Sequence, residues 1–92
     1  VDTEKTLAEI IRKHLGAQVR VVLFGSRAAG RATPRSDYDI GIDAGQALNF
    51  GLLERIQAEI DELPVLQKTD LVDLQRASNE FQTAIAAEQK EL

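Results

Sequence analysis

Asp37 and Asp39 follow the pair Gly25-Ser26 after an interval of ten residues, giving the pattern G-S-x10-D-x-D. Carboxylates at i and i+2 of a strand point the same way, with Cα atoms roughly 6.5–7 Å apart. Such a pair can converge on hard divalent cations. Two such ions held about 3.5–4 Å apart can clamp an in-line displacement at phosphorus. The same stretch offers a seat for phosphate. Gly25 lets the backbone approach closely, and the Ser26 hydroxyl can donate to a phosphate oxygen. Arg27, Arg31 and Arg35 lie between the two halves of the pattern, and guanidinium forks suit phosphate. A third carboxylate would complete the set, as a metal ligand or as the base that takes a proton from an attacking hydroxyl. Asp70 and Asp73, in the run K-T-D-L-V-D-L, are the candidates.

Each feature alone has an ordinary explanation. A glycine–serine pair after a strand is usually a turn, a lone D-x-D is common in surface loops, and loop arginines are mostly solvated. Their order and spacing along one short chain carry the chemistry.

Composition narrows the partners. The chain of 92 residues carries 15 acidic and 11 basic side chains, a formal charge of -4. That balance argues against nonspecific nucleic-acid binding, which needs a basic footprint. With no cysteine, disulfides, zinc–thiolate centres and cysteine nucleophiles drop out, and the lone histidine removes a multi-histidine site. Oxygen-only ligands favour Mg²⁺ or Mn²⁺ over zinc. No apolar run is long enough to span a bilayer and no signal-peptide pattern opens the chain, so a cytoplasmic protein is expected.

The elements that position these groups follow from periodicity. Asp2 or Thr3 caps a helix with Leu7, Ile10, Ile11 and Leu15 on one side, stopped by Gly16. His14 falls in its last turn, where a cation suits the helix dipole. Val19 to Phe24 reads as a strand buried on both faces, ended by Gly25, with a short helical turn from Ser26. Thr33-Pro34-Arg35-Ser36 is a loop signature. A second strand then places Asp37 and Asp39 on one face and Tyr38, Ile40 and Ile42 on the other. Asn49 to Leu63 is an amphipathic helix stopped by Pro64. Lys68 to Leu74 is a third strand, with Asp70 and Asp73 on opposite faces. A final helix opens at Ser78 or Asn79 and lines up Phe81, Ala84, Ile85 and Glu88. Residues 1–92 are therefore expected to form one α+β domain of two layers. Its short mixed sheet would carry helices on one face and leave the aspartates open on the other.

The segments Phe24-Gly25-Ser26-Arg27-Ala28-Ala29-Gly30, Ser36-Asp37-Tyr38-Asp39-Ile40-Gly41-Ile42 and Thr69-Asp70-Leu71-Val72-Asp73-Leu74 resemble the minimal nucleotidyltransferases of the DNA polymerase β superfamily. The resemblance implies a nucleotide-phosphate contact at Gly25 and Ser26, with Arg27 from the arginine cluster expected beside them, and Mg²⁺ or Mn²⁺ held by Asp37 and Asp39. Asp70, in T-D-L-V, matches the third acidic position of the family better than Asp73. The chain departs from the pattern at Ala29, where the family often has a second arginine; Arg31 could replace it.

Proteins similar in this way typically pair with a HEPN-domain toxin and transfer AMP from ATP to one of its tyrosines. The implied role is that of antitoxin and metal-dependent protein adenylyltransferase. The alternatives are an antitoxin that blocks its partner by contact, and a nucleotidyltransferase for a small molecule.

Overall fold

The computed structural model describes residues 2–92. Asp2 caps helix α1 (Thr3–Leu15), its carboxylate accepting from the Lys5 N–H at 3.1 Å. Leu7, Ala8 and Ile11 form its buried side. Gly16 ends the helix with a positive φ of 98°, its N–H returning to the Arg12 carbonyl.

Strand β1 (Arg20–Phe24) runs into a single turn of 3-10 helix, Gly25–Arg27. Strand β2 (Tyr38–Asp43) follows, then helix α2 (Phe50–Asp61), whose N-cap Asn49 accepts from Gly51 and Leu52. Strand β3 (Thr69–Asp73), helix α3 (Asn79–Ala86) capped by Ser78, and the short strand β4 (Lys90–Glu91) complete the order.

The four strands form one mixed sheet, β3-β2-β1-β4. β1 is antiparallel to both β2 and β4, and β2 is parallel to β3. Alternation along the strands sends Val21, Leu23, Tyr38, Ile40 and Ile42 into a cluster with Leu7, Ile11, Ile56 and Ile60. α1 and α2 thus cover one face, and this cluster is the hydrophobic core.

The other face is tighter than a bare ligand surface. Gly41 lies beneath Val22 and Leu74, where a Cβ would sit 3.0–3.2 Å from their methyl groups. α3 reaches this face too: the Phe81 ring meets the Phe24 ring edge-on, with centroids 5.6 Å apart. Helical cover on one face therefore describes α1 and α2, while α3 flanks the aspartate-bearing face.

Two features of residues 79–92 differ from the sequence expectation. α3 ends at Ala86, so Glu88 lies past the helix. β4 was not anticipated; it is two charged residues, held by pairing with Val22 and Leu23 and by the Leu92 N–H to Val21 bond of 2.9 Å. Among the described residues, no helix is long and apolar enough to cross a membrane.

Candidate active site

The site is built where β1 stops. Phe24 pairs across the antiparallel ladder with Asp39, so both side chains leave the sheet on the same face. Gly25 turns the chain away with φ +74°, a backbone angle that side-chain-bearing residues rarely adopt. The turn is locked by Ala29 N–H to the Gly25 carbonyl at 3.1 Å and Arg31 N–H to the Ser26 carbonyl at 2.9 Å.

The absence of a side chain at Gly25 is also a spatial demand. A Cβ there would overlap the Asp39 carboxylate and lie 3.2 Å from its Cγ. The turn and the carboxylate are in direct contact, so anything held by Asp39 is held beside the Gly25-Ser26 backbone.

Asp70 joins them from β3. In the parallel pairing of β2 and β3, Asp39 is in register with Asp70. Neighbouring strands lie about 4.8 Å apart, so the two carboxylates stand side by side on one face. Asp37 is exposed just before β2, two residues from Asp39. The charges feel one another: burial raises the Asp39 carboxyl above the ordinary range, and the charges of Asp70 and Asp37 raise it further. Lys68 stands 3.5 Å from Asp70 at the open edge of the group.

The three carboxylates suit a hard divalent cation. They are oxygen donors, they repel one another, and the bare Gly25 backbone lets the Asp39 carboxylate pack directly against the turn. Among the described residues no set of three or more such side chains is already converged as a metal cage. The side chains share a face and an end of the sheet, and a cation would have to draw them together.

Asp73 is separated from this group. It is buried and accepts from the Leu48 N–H at 2.7 Å and the Gln75 N–H at 3.0 Å, with Arg76 at 3.4 Å. It anchors the segment entering α2. Of the two carboxylates that the sequence leaves open, only Asp70 stands beside Asp39.

Arg27 is turned differently from the expectation of a phosphate clamp. Its guanidinium lies 4.0 Å over the Tyr38 ring and donates to the Ser36 carbonyl from Nε at 3.0 Å and Nη2 at 2.8 Å. Two of its donors thus hold the loop that presents Asp37. The loop is further closed by Thr33 N–H to Ser36 Oγ at 2.9 Å and by Gln67 Nε2 to the Pro34 carbonyl at 2.6 Å. Sequence reading missed this bracing, because stacking of Arg27 on Tyr38 spans eleven positions and no local pattern announces it. Arg31, by contrast, has an exposed side chain whose only described partner is Glu88 at 3.4 Å. His14 contacts Glu59 at 2.9 Å on the helical layer, away from this face.

A strand, a glycine turn against a strand aspartate, and a second aspartate on the next parallel strand define a nucleotidyltransferase-type site. The family model described as "Polymerase beta, Nucleotidyltransferase" matches residues 5–92, and the chain belongs to that family. Over 82 residues it is 29% identical to the probable protein adenylyltransferase MntA of Haemophilus influenzae, a match covering 89% of this chain and 72% of the relative. Its fold is shared with a toxin–antitoxin crystal structure containing AMP-PNP, with TM-score 0.71, 24% identity, and coverage of 99% of this chain and 72% of that one. It is shared as well with a complex of a tri-AMPylated Shewanella oneidensis HEPN toxin and MNT antitoxin. There the TM-score is 0.66 at 22% identity, over 97% of this chain and 67% of the other.

Proposed function

We propose that this nucleotidyltransferase moves AMP from ATP to a tyrosine hydroxyl of a HEPN-type toxin and acts as the antitoxin of that pair. The observation that carries the reading is the register of Asp39 with Asp70 beside the Gly25 turn. It is supported by the adenylyltransferase activity in the name of the Haemophilus relative and by the AMPylated toxin in the Shewanella complex. A cytoplasmic setting, where ATP is plentiful, belongs to the same reading.

In this mechanism Gly25 and Ser26 seat the phosphates, and Asp37 and Asp39 hold Mg²⁺ or Mn²⁺, with Asp70 as third carboxylate. The bound cation supplies charge stabilisation at the transferring phosphoryl group. The acceptor oxygen forms a bond to the α-phosphorus while the bond from that phosphorus to the pyrophosphate oxygen breaks. The acceptor's proton passes to a carboxylate oxygen; Asp70, which stands on the neighbouring strand with its side chain 45% exposed, is the proposed acceptor. Arg27 acts through the loop: it positions Asp37 and leaves phosphate contact to Arg31.

Co-expression with the partner tests the reading. Intact-mass measurement should find the partner heavier by one or more AMP units with the parent chain and unmodified with Asp39→Asn. A partner that is neutralised yet unmodified in both cases would favour inhibition by contact instead.

A further inference from the structure

We propose that the groove between the Gly25 turn and α3 receives the purine base of the nucleotide, with Phe81 as the surface on which it stacks. The inference rests on the nucleotidyl-transfer reading and names the subsite that the reading leaves open.

The groove holds about 390 Å³ and opens directly onto the candidate site, because Gly25 and Phe24 form one wall. Phe24 is the register partner of Asp39, so the groove lies on the face where the carboxylates stand. Its other wall is α3, presenting Phe81, Ala84 and Ile85. Phe81 is one of three large apolar side chains exposed among the described residues. Its ring meets the Phe24 ring at an interplanar angle of 89°, and the residue stays 36% exposed. A nucleobase needs a flat apolar surface of this kind, and a purine covers more of it than a pyrimidine.

The polar rim fits as well. Arg31 and Glu88 meet at 3.4 Å across the mouth, and both are more than half exposed. Such a pair contributes little to stability. Arg31 can therefore leave Glu88 for the phosphates at small cost, and the freed Glu88 carboxylate can accept from the exocyclic amine of a base. The groove thus brings together the Gly25 backbone, an exposed arginine and an aromatic surface, the three kinds of group that a nucleoside triphosphate needs for its phosphates and base.

Binding of Mg²⁺–ATP and of Mg²⁺–tripolyphosphate, which lacks base and sugar, separates this inference from its foundation. ATP should bind the parent chain more tightly than tripolyphosphate. Phe81→Ala should weaken ATP about five- to 150-fold while leaving tripolyphosphate unchanged. Phe81→Leu, which keeps the apolar volume, guards against loss of fold and should lose most of the same preference. In the parent chain the methyl resonances of Ala84 and Ile85 should move with ATP and stay in place with tripolyphosphate. Equal affinity for both ligands with those methyls unmoved would overturn the base subsite and leave phosphate seating intact. Failure of both ligands to bind would overturn the subsite together with the nucleotidyl-transfer reading beneath it.

Discussion

The Gly25 backbone lies against the Asp39 carboxylate so closely that one methyl group added at Gly25 would overlap it. The bend proposed to seat phosphate and the carboxylate proposed to hold metal are therefore one structural unit. Gly25 also has φ +74°. Gly25→Ala should strain the backbone by about 1–3 kcal/mol and push Asp39 aside. A lowered melting temperature together with loss of transfer is expected; full activity in this variant would show that the contact is dispensable.

Asp39 carries a stability signature that needs no partner protein. Burial, then the charges of Asp70 and Asp37, raise its carboxyl pKa in the fold. The folded state then holds the proton more tightly than the unfolded chain does. Stability from this group is complete below the ordinary carboxylate pKa of about 3.9 and is lost as pH rises through the higher folded value. At pH 7 without divalent metal, Asp39→Asn should melt above the parent. That advantage should vanish in acid, and saturating Mg²⁺ should offset it by stabilising only the parent. Thermal melts from pH 3 to 7, with and without Mg²⁺, read out each part.

Asp70 and Asp73 should separate cleanly, although three residues apart on one strand. Asp70→Asn is expected to keep the fold and lose transfer. Asp73→Asn removes a buried charge that accepts two backbone N–H bonds, so a stability loss of about 1.5–3 kcal/mol is expected. Chemical denaturation beside a transfer assay distinguishes them. Equal stability of the two variants would contradict the assignment.

Much of this was legible in the residues. Helical spacing marked α1 and α2, with a cap for the first and Pro64 as the stop for the second, and the period of two in Tyr38-Asp39-Ile40 told which face the aspartate would take. Asp70 could not be chosen over Asp73 from strand geometry alone. Their opposite faces were plain, but which face met Asp39 depends on the β2–β3 register, a non-local fact. Lys90-Glu91 carries no strand signal, and its pairing with β1 comes from the sheet edge rather than from propensity. The bracing role of Arg27 was not legible because its partners, Tyr38 and the Ser36 carbonyl, are visible only once the loop has closed.

That bracing gives a further expectation. Arg27→Lys keeps the charge but loses the paired donation to Ser36 and the planar stacking on Tyr38. Amide exchange across 33–37 should quicken, and transfer should fall without a matching loss of affinity for tripolyphosphate. A large loss of tripolyphosphate binding would instead return Arg27 to the phosphates.

The most direct measurement follows the phosphorus. The chain and the proposed HEPN-type partner are incubated with Mg²⁺ and ATP labelled at either the α- or the γ-phosphate. Label should reach the partner from the α-position only, and fall at least about a hundredfold with Asp39→Asn or with chelator. Label arriving from the γ-position, or α-label transfer that survives Asp39→Asn, would contradict the account.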